Sequence, residues 1–374
     1  MNLKIAILTP FLHREGGHGG ITTWLLNVAP ELNRRGHDVE VLISAPAHRA
    51  LEHARLDKTI KIRNLGNKKY SLYCNLFSYF RQQRPDIVLS AGYRYNTAIA
   101  YALPLSRAKT KWVMTIRENL SLAVGHMRWQ ERWPRTATIR LCLSVADKVI
   151  GVSSDLTRDM VENWGLKPDK AGAIHNAVVN DRVVEKGDEK VEHPFFASGE
   201  KVFVAIGRLE NQKDYPTLFN AFADLVKTDP ARLIILGEGS LRDALQKLIE
   251  QMGMSERIAL AGFTKNPFSY MRQADGVVMS SIWEGFGNVL AEALAQGTPI
   301  VSTDCPSGPA EILEGGKFGP LVPVGDVPAL AEGMRKVLND PLPESTLKSR
   351  AQAFSVSARV SDYITLFEQL LERR

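Results

Sequence analysis

The sequence predicts an α/β protein built from two doubly wound domains, and three observations lead to this prediction. First, 374 residues are more than a single hydrophobic core usually holds, so two domains are expected. Second, short apolar runs alternate with helical patterns, as in parallel sheets covered by helices. Third, the alternation is interrupted once, in a charged segment, 181–200, that contains Gly187 and Pro194. We interpret this segment as the linker.

The first domain is assigned to residues 1–185. Its strands are short runs of mostly branched apolar residues, predicted at 5–8, 39–44, 87–90, 112–116, 149–152 and 173–175. Between them, apolar residues at helical spacing predict helices such as 21–35, 72–83 and 136–145.

The second domain is assigned to residues 196–354. It repeats the scheme, with strands predicted at 202–206, 233–236, 258–260, 277–279, 300–303 and 321–324 and helices such as 241–252 and 328–338. A last helical pattern follows at 357–372. Doubly wound sheets bind ligands at the carboxyl ends of their strands, so two facing sheets would hold a ligand in the cleft between them.

Composition indicates an ordinary globular protein, with 44% hydrophobic and 24% charged residues. No apolar run is long enough to span a bilayer, and the N-terminus lacks the pattern of a signal peptide. The cysteines are widely spaced and odd in number: Cys74, Cys142 and Cys305. We therefore expect a reduced, cytoplasmic location.

Charge is distributed unevenly between the two halves. Residues 1–190 contain 29 Lys and Arg against 18 Asp and Glu, whereas the rest contains 18 against 23. In the basic half, cations interleave with aromatic residues in two stretches, 55–80 and 128–140. This pattern is typical of a surface that binds anionic lipid or a lipid diphosphate. The alternative is a solvated cationic face over buried aromatics. We expect no nucleic acid, because no recognition motif accompanies the charge.

The most informative stretch is 277–295. A strand at 277–279 runs into Gly285 and Gly287, a helix follows, and the carboxylates Glu284 and Glu292 flank this turn. Glycine lets a backbone pass close to a ligand. The free amides at a helix N-terminus favour an anion such as phosphate, and here they belong to Gly287, Asn288 and Val289. The arrangement indicates a site for a sugar nucleotide.

This stretch resembles the Glu-x7-Glu signature of retaining glycosyltransferases of family 4, whose fold is called GT-B. Further segments resemble motifs of the same family in the same order: Gly16–Gly20, Gly207-Arg208-Leu209 with Lys213-Asp214, Leu236-Gly237-Glu238-Gly239, Ala261-Gly262-Phe263 and Asp304-Cys-Pro-Ser-Gly-Pro-Ala-Glu311. The resemblance is dense from about 200 to 325 and thinner before that. It implies two Rossmann-like domains and a C-terminal helix, 355–374, that crosses back to the first domain.

The resemblance also assigns roles in catalysis. Arg208 and Lys213 would neutralise the donor diphosphate as charge moves onto the leaving nucleotide. Glu284 would position the transferred sugar, and Glu292 would accept hydrogen bonds from the ribose hydroxyls. The alternative is that these are ordinary surface charges and helix-capping carboxylates.

The donor-binding set implied by the resemblance consists mainly of glycine turns and one helix N-terminus. Backbone groups of Thr264 would contact the edge of the base without distinguishing uridine from guanosine. The full set is Gly19, Gly20, Gly207, Gly237, Gly239, Thr264, Gly285, Phe286, Gly287, Asn288, Val289 and Glu292.

One position departs from the family pattern. Many members have a histidine after the fourth strand, whereas this sequence has Arg117, which cannot act as a general base near neutral pH. Arg117 would instead bind an anion or position a substrate, and Glu118 and His126 are further candidates on the acceptor side. We expect no metal and no cofactor, because Asp-x-Asp is absent and His and Cys are scattered.

The sequence thus predicts a retaining glycosyltransferase that moves a hexose or N-acetylhexosamine from a nucleoside diphosphate sugar to a glycan acceptor. The residues of segments 284–289 and 304–309 favour a UDP-sugar over GDP-mannose as the donor. A lipid-linked acceptor and the inner face of the cytoplasmic membrane are expected. The alternatives are a UDP-sugar epimerase of the same architecture and a non-catalytic subunit that binds nucleotide sugar or glycan.

Overall fold

The computed structural model describes residues 1–9, 20–44, 56, 59–66, 68–125 and 127–372. The chain divides into two compact units, Met1–Ala177 together with Val356–Arg374, and Val178–Ser355. Each unit contains one sheet in which every strand pair is parallel. The prediction of two doubly wound α/β domains is confirmed.

In its described residues before the chain leaves it, the first unit has seven strands and six helices. In chain order they are β1 (Lys4–Leu8), α1 (Gly20–Arg34), β2 (Asp38–Ile43), β3 (Lys61–Asn64), α2 (Lys69–Gln83), β4 (Ile87–Ala91), α3 (Tyr93–Ser106), β5 (Lys111–Ile116), α4 (Leu120–Gly125), α5 (Trp129–Val145), β6 (Lys148–Gly151), α6 (Ser154–Trp164) and β7 (Ala171–Ala173). The strand order is β3-β2-β1-β4-β5-β6-β7. The winding direction therefore reverses between β1 and β4.

The second unit has six strands and eight helices among the described residues. They are α7 (Asp181–Gly187), β8 (Lys201–Ile206), α8 (Tyr215–Leu225), β9 (Ala231–Leu236), α9 (Arg242–Gln251), β10 (Ile258–Gly262), α10 (Pro267–Gln273), β11 (Gly276–Met279), α11 (Asn288–Gln296), β12 (Ile300–Thr303), α12 (Pro309–Ile312), β13 (Leu321–Val322), α13 (Val327–Asn339) and α14 (Glu344–Ala351). The strand order is β10-β9-β8-β11-β12-β13. Here the reversal lies between β8 and β11.

The last helix, α15 (Val356–Glu372), packs with the first unit. Its buried residues Val360, Tyr363 and Phe367 join the core cluster formed by α1 and one face of the sheet. Arg35 fixes its start by donating to Ser357 and Ser361. The opposite face of the sheet is covered by α2, α3 and α5.

The segment expected to be an irregular linker is folded in part. Residues Asp181–Gly187 form α7, which the side chain of Asn180 caps by accepting from the Val183 amide at 3.0 Å. Gln296 donates to the Val183 carbonyl at 2.6 Å, and a Cβ at Gly187 would lie 1.9 Å from the Gln296 side chain. The helix therefore packs tightly against α11. The boundary between the compact units lies at 177/178, and the domain bounds 1–185 and 196–354 stay a prediction.

The prediction of an irregular linker was wrong for Asp181–Gly187, and the reason is physical. Within α7 only Val183 and Gly187 are buried, so its other residues keep the polarity of a solvated segment. An amphipathic period cannot be recognised in so short a helix. None of the helices in the described ranges has the length and hydropathy needed to pass through a bilayer.

Candidate functional site

The candidate site lies in the second unit where the winding of its sheet reverses. The loops after β8 and β11 are joined there by an ion pair and three further hydrogen bonds. The Ile282 amide donates to the Gln212 carbonyl (2.8 Å), the Gln212 side chain donates to the Trp283 carbonyl (2.7 Å), and the Ser280 hydroxyl donates to the Lys213 carbonyl (2.7 Å). Doubly wound sheets bind their ligands at such a reversal.

Lys213 and Glu284, from the two loops, form an ion pair. Lys213 Nζ lies 2.5 Å from Glu284 Oε1, and the Ser281 hydroxyl donates to the same oxygen at 2.7 Å. The two charged side chains are 15% and 11% exposed. Within the described residues no group donates to Oε2 of Glu284, so this oxygen remains available to a hydroxyl of a ligand.

Gly207 makes room for this lysine. A Cβ at position 207 would lie 2.6 Å from Lys213 Cε, so any larger residue would displace the ammonium group. The backbone of Gly207 is held by its amide, which donates to the Leu236 carbonyl (3.0 Å), and by its carbonyl, which accepts from the Tyr215 hydroxyl (3.1 Å). The predicted site residues Gly207, Lys213 and Glu284 therefore lie together.

The glycines of the next turn have a role in packing. A Cβ at Gly237 would lie 1.9 Å from the Gly207 carbonyl oxygen, and one at Gly239 would lie 2.4 Å from the Leu209 carbonyl oxygen. Gly237 also has φ +146°, which side chains rarely adopt. These close contacts are enough to require glycine at both positions, whether or not a ligand binds there. The donor-binding role of both glycines stays a prediction.

Arg208 carries an unbalanced positive charge. It is exposed, and its Nη2 lies 3.3 Å from Gln212 Oε1. Among the described residues no carboxylate pairs with it. An exposed guanidinium beside the ion-paired Lys213 favours an anion at this end of the sheet.

The N-terminus of α11 faces the turn that follows Glu284. Gly287, the residue before the helix, has φ +91°, which explains the glycine. Asn288 and Val289 are the first two residues of the helix, whose opening amides have no acceptor within it. A helix N-terminus of this kind favours an anion, and the anion-binding role of these residues stays a prediction.

The ring of Phe286 is buried, and the donor-binding role of this residue stays a prediction. Its ring is 2% exposed and packs edge-on against Phe354, with the ring centroids 5.6 Å apart. The backbone passes so close to the next loop that a Cβ at Gly308 would lie 1.8 Å from the Phe286 carbonyl oxygen. The ring therefore fixes the turn to the core and is not available to a donor.

Glu292 lies one turn into α11 and has an unusual environment. Burial raises the pKa of its carboxyl to about 7, and the positive charge of Lys213 opposes that rise. The residue is nonetheless partly exposed, and within the described residues no hydrogen bond reaches its carboxylate. A carboxylate that lacks protein donors yet remains accessible suits a ligand with paired hydroxyls.

Thr264 and Gly285 are less informative. The Thr264 hydroxyl accepts from the Asn266 amide at 3.2 Å, a local turn contact. In the part of the chain that the structure describes, no hydrogen bond joins Thr264 or Gly285 to Lys213 or Glu284. Their roles stay predictions.

Two positioning residues escaped the sequence analysis. Ser281 donates to Glu284, and Gln212 bonds both to Arg208 and to the loop after β11. Ser281 lies two residues after the buried strand β11, and this position was the one available signal. Gln212 gave none, because a glutamine in a turn is ordinary.

The acceptor-side candidates lie in the first unit. Arg117 follows β5 and donates to Asn176 Oδ1 at 2.7 Å, and Glu118 is exposed. Gly20 is the first residue of α1. Gly19 and His126 lie outside the described residues. Across the described ranges no three His, Cys, Asp or Glu side chains are grouped to hold a metal ion.

The basic aromatic surface divides into two parts. In the stretch 55–80, Tyr79 and Phe80 are buried, and Lys61 and Arg63 pair with Asp38 and Glu40. Tyr70 of the same stretch, however, is 86% exposed. The stretch therefore matches the alternative of a solvated cationic face over buried aromatics only in part. Arg55, Lys58 and the side chain of Lys69 lie outside the described residues.

The start of α5 is different. Trp129 and Trp133, one turn apart, are 74% and 78% exposed. Arg128 and Arg132 beside them are exposed as well. Two bare indoles among exposed arginines form a surface suited to an anionic interface.

Profiles of known protein families match most of the chain. The profile of glycosyl transferases group 1 matches residues 187–354, and that of glycosyltransferase family 4 matches residues 18–182. The lipopolysaccharide core biosynthesis glycosyltransferase LpsE of Rhizobium meliloti is 34% identical over 337 residues, which cover 90% of this chain and 89% of the relative.

Two further proteins are informative. The N-acetylgalactosamine-N,N'-diacetylbacillosaminyl-diphospho-undecaprenol 4-alpha-N-acetylgalactosaminyltransferase of Campylobacter jejuni is 31% identical over 67% of this chain. The chain spans 64% of that relative, less than two thirds of its length. The crystal structure of Anabaena HepE in complex with UDP superposes with a TM-score of 0.78 at 20% identity, covering 98% of this chain and 100% of HepE. This likeness shows the fold. Together with the two parallel sheets, these matches show that the chain belongs to glycosyltransferase family 4 and has the GT-B fold.

Proposed function

We propose that this protein is a retaining transferase that moves a hexose or N-acetylhexosamine from a UDP-sugar to a lipid-linked glycan. The observation that carries the proposal is the meeting of Lys213, Glu284 and the N-terminus of α11 at the reversal of the second sheet. Positive charge, a helix N-terminus and carboxylates with free acceptor capacity match a diphosphate flanked by two sugars.

The donor diphosphate would occupy the positive groups of this site. Arg208 and Lys213 neutralise the charge that develops on the leaving nucleotide, as a divalent ion does elsewhere. Glu292 accepts hydrogen bonds from the ribose hydroxyls, and Oε2 of Glu284 accepts one from the transferred sugar. Activity is therefore expected without added metal.

The reaction would retain the configuration at the anomeric carbon. The bond from this carbon to the diphosphate oxygen breaks, and the acceptor oxygen bonds to the same face. The acceptor proton passes to the departing phosphate. Lys213 and Ser281 both contact Glu284 Oε1, which restrains this carboxylate as a positioning group. We assign no covalent nucleophile.

The acceptor would be held at the inner face of the cytoplasmic membrane. The Campylobacter relative is named for an acceptor on diphospho-undecaprenol, and the R. meliloti relative for lipopolysaccharide core biosynthesis. The indoles of Trp129 and Trp133, with the neighbouring arginines, would bind anionic lipid and bring the first unit to such acceptors.

A transfer assay tests the proposal. Purified protein in EDTA is incubated with UDP-glucose, UDP-galactose and their N-acetylamino forms, with a polyprenyl-diphosphate-linked sugar as acceptor. An α-linked product from an α-linked donor supports retention. Epimerised donor without transfer would instead identify an epimerase. Binding of donor with neither product would identify a non-catalytic subunit.

A further inference from the structure

Arg117 is a partly buried cation that has no ion-pair partner among the described residues. Its guanidinium follows β5 at the carboxyl edge of the first sheet and lies over the Trp24 ring, with Cζ 4.4 Å from the centroid. Its Nη1 donates to Oδ1 of Asn176 at 2.7 Å. Nε and Nη2 are buried and have no partner in the described part of the chain.

This arrangement is costly for the folded protein. A buried donor without an acceptor loses its hydration and gains nothing in return, and the loss is larger for a charged group. Burial lowers the pKa of Arg117 to about 10, so the group stays charged at neutral pH. Within the described residues no carboxylate forms an ion pair with it. Arg35, another partly buried arginine of the same unit, has such a partner in Glu31.

We propose that Arg117 is the centre of an oxyanion subsite in the first unit, which takes a phosphate group of a substrate. A planar guanidinium with two unused donors suits two oxygens of one phosphate. Trp24 holds its face, and Asn176 holds one edge. That the phosphate belongs to the lipid-linked acceptor rests on the proposed function, but the existence of the subsite does not.

The probe is inorganic pyrophosphate, titrated calorimetrically into protein saturated with UDP. The wild type should bind it at concentrations up to about 10 mM, and Arg117→Met should weaken binding at least tenfold. Arg35→Met is the matched control, because Arg35 is a partly buried arginine of the same unit that has its own carboxylate. It should bind pyrophosphate like the wild type.

A second variant supplies the missing counter-charge. Asn176→Asp places a carboxylate against Arg117 Nη1, and this internal anion should abolish pyrophosphate binding. It should also raise the midpoint of thermal unfolding, because the buried charge is then paired. Arg117→Met should leave this midpoint unchanged or higher for the same reason. A purely structural arginine would instead lower the midpoint when it is replaced.

The source of the phosphate is decided by UDP affinity. If Arg117→Met loses pyrophosphate binding and keeps its affinity for UDP, the subsite takes an anion of the acceptor. If pyrophosphate competes with UDP and Arg117→Met binds UDP at least tenfold more weakly, the phosphate is that of the donor. Unchanged pyrophosphate and UDP binding in both Arg117→Met and Asn176→Asp would overturn the subsite. None of these readouts requires transferase activity.

Discussion

Lys213 Nζ and Glu284 Oε1 lie 2.5 Å apart, and this contact joins the loops that follow the two central strands of the second sheet. Each member of the pair compensates the mostly buried charge of the other. A bound diphosphate would share the ammonium group, and a sugar hydroxyl would use the second carboxylate oxygen. The pair is thus a preformed element of the proposed donor site.

Breaking the pair should affect both activity and stability. Lys213→Met and Glu284→Gln should each lower turnover at least tenfold, which corresponds to about 1.4 kcal/mol or more. Lys213→Met should also lower the unfolding free energy by about 1–3 kcal/mol, because a mostly buried carboxylate is left unpaired. The double variant should recover part of that stability and no activity. Additive losses of stability in denaturant titrations would contradict the coupling.

Glu292 should make stability depend on pH. Its folded pKa, about 7, lies above the ordinary value of 4.5. Its contribution to stability is therefore complete below pH 4.5 and is lost as the pH rises through 7. Glu292→Gln should be more stable than wild type at pH 8, by about 1–3 kcal/mol, and equal to it at pH 4.5. The exposed Glu332→Gln is the control, and the same pH profile in wild type and Glu292→Gln would exclude the shift.

The same carboxyl should make ribose recognition depend on pH. Hydroxyls donate to an ionised carboxylate, so UDP should gain affinity from pH 6 to pH 8. The ratio of the affinities of UDP and 2′,3′-dideoxy-UDP removes the titration of the phosphate itself. We expect this ratio to rise with pH in the wild type and to be flat in Glu292→Gln. A flat ratio in both proteins would remove Glu292 from the ribose site.

Replacing Gly207 should mainly lower activity, whereas replacing Gly237 should mainly lower stability. In Gly207→Ala the new methyl meets the flexible end of Lys213, so turnover should fall at least tenfold with a small change in unfolding free energy. In Gly237→Ala the methyl meets the backbone of Gly207, so the protein should lose several kcal/mol of stability. Kinetics and thermal unfolding of both variants distinguish these effects. Equal losses of stability would show that Gly207 serves packing alone.

Trp129 and Trp133 should determine binding to membranes. Replacing both with serine should lower partitioning onto vesicles with about 30% anionic lipid at least tenfold, and wild-type binding should weaken with salt. Leu342→Ser, a change at a partly exposed leucine of the second unit, should leave partitioning unchanged. Vesicle sedimentation measures both effects. Undiminished binding of the double variant would remove this surface from the proposal.

The sequence predicted the buried strands well and the edges poorly. Central strands such as β1, β4 and β8 are continuous apolar runs, a pattern that remains recognisable without tertiary context. The edge strand β3 was missed. Its residues are all exposed, and its side-chain contacts with β2 include ion pairs between Lys61 and Asp38 and between Arg63 and Glu40. Such pairings cannot be inferred from four mostly polar residues.

The candidate site shows the same limit. The motif predicted that Arg208, Lys213 and Glu284 act together, and the structure joins Lys213 to Glu284 directly. The motif could not show that the ring of Phe286 turns into the core, because an apolar residue between two glycines of a loop can face either the core or a ligand. The sequence also could not show that Nε and Nη2 of Arg117 lack acceptors among the described residues. This depends on which groups all the neighbouring elements place around the guanidinium.

The most direct test of the donor site is a calorimetric titration of UDP and GDP in EDTA, with wild type, Arg208→Ala and Arg257→Ala. Arg208 is exposed and lacks an ion pair, so its loss should not unfold the protein. Arg257, which pairs with Glu200 ahead of β8, is the control. We expect metal-free binding that prefers UDP, at least tenfold weaker in Arg208→Ala and unchanged in Arg257→Ala. No binding of either nucleotide in EDTA, or equal binding by all three proteins, would contradict the assignment.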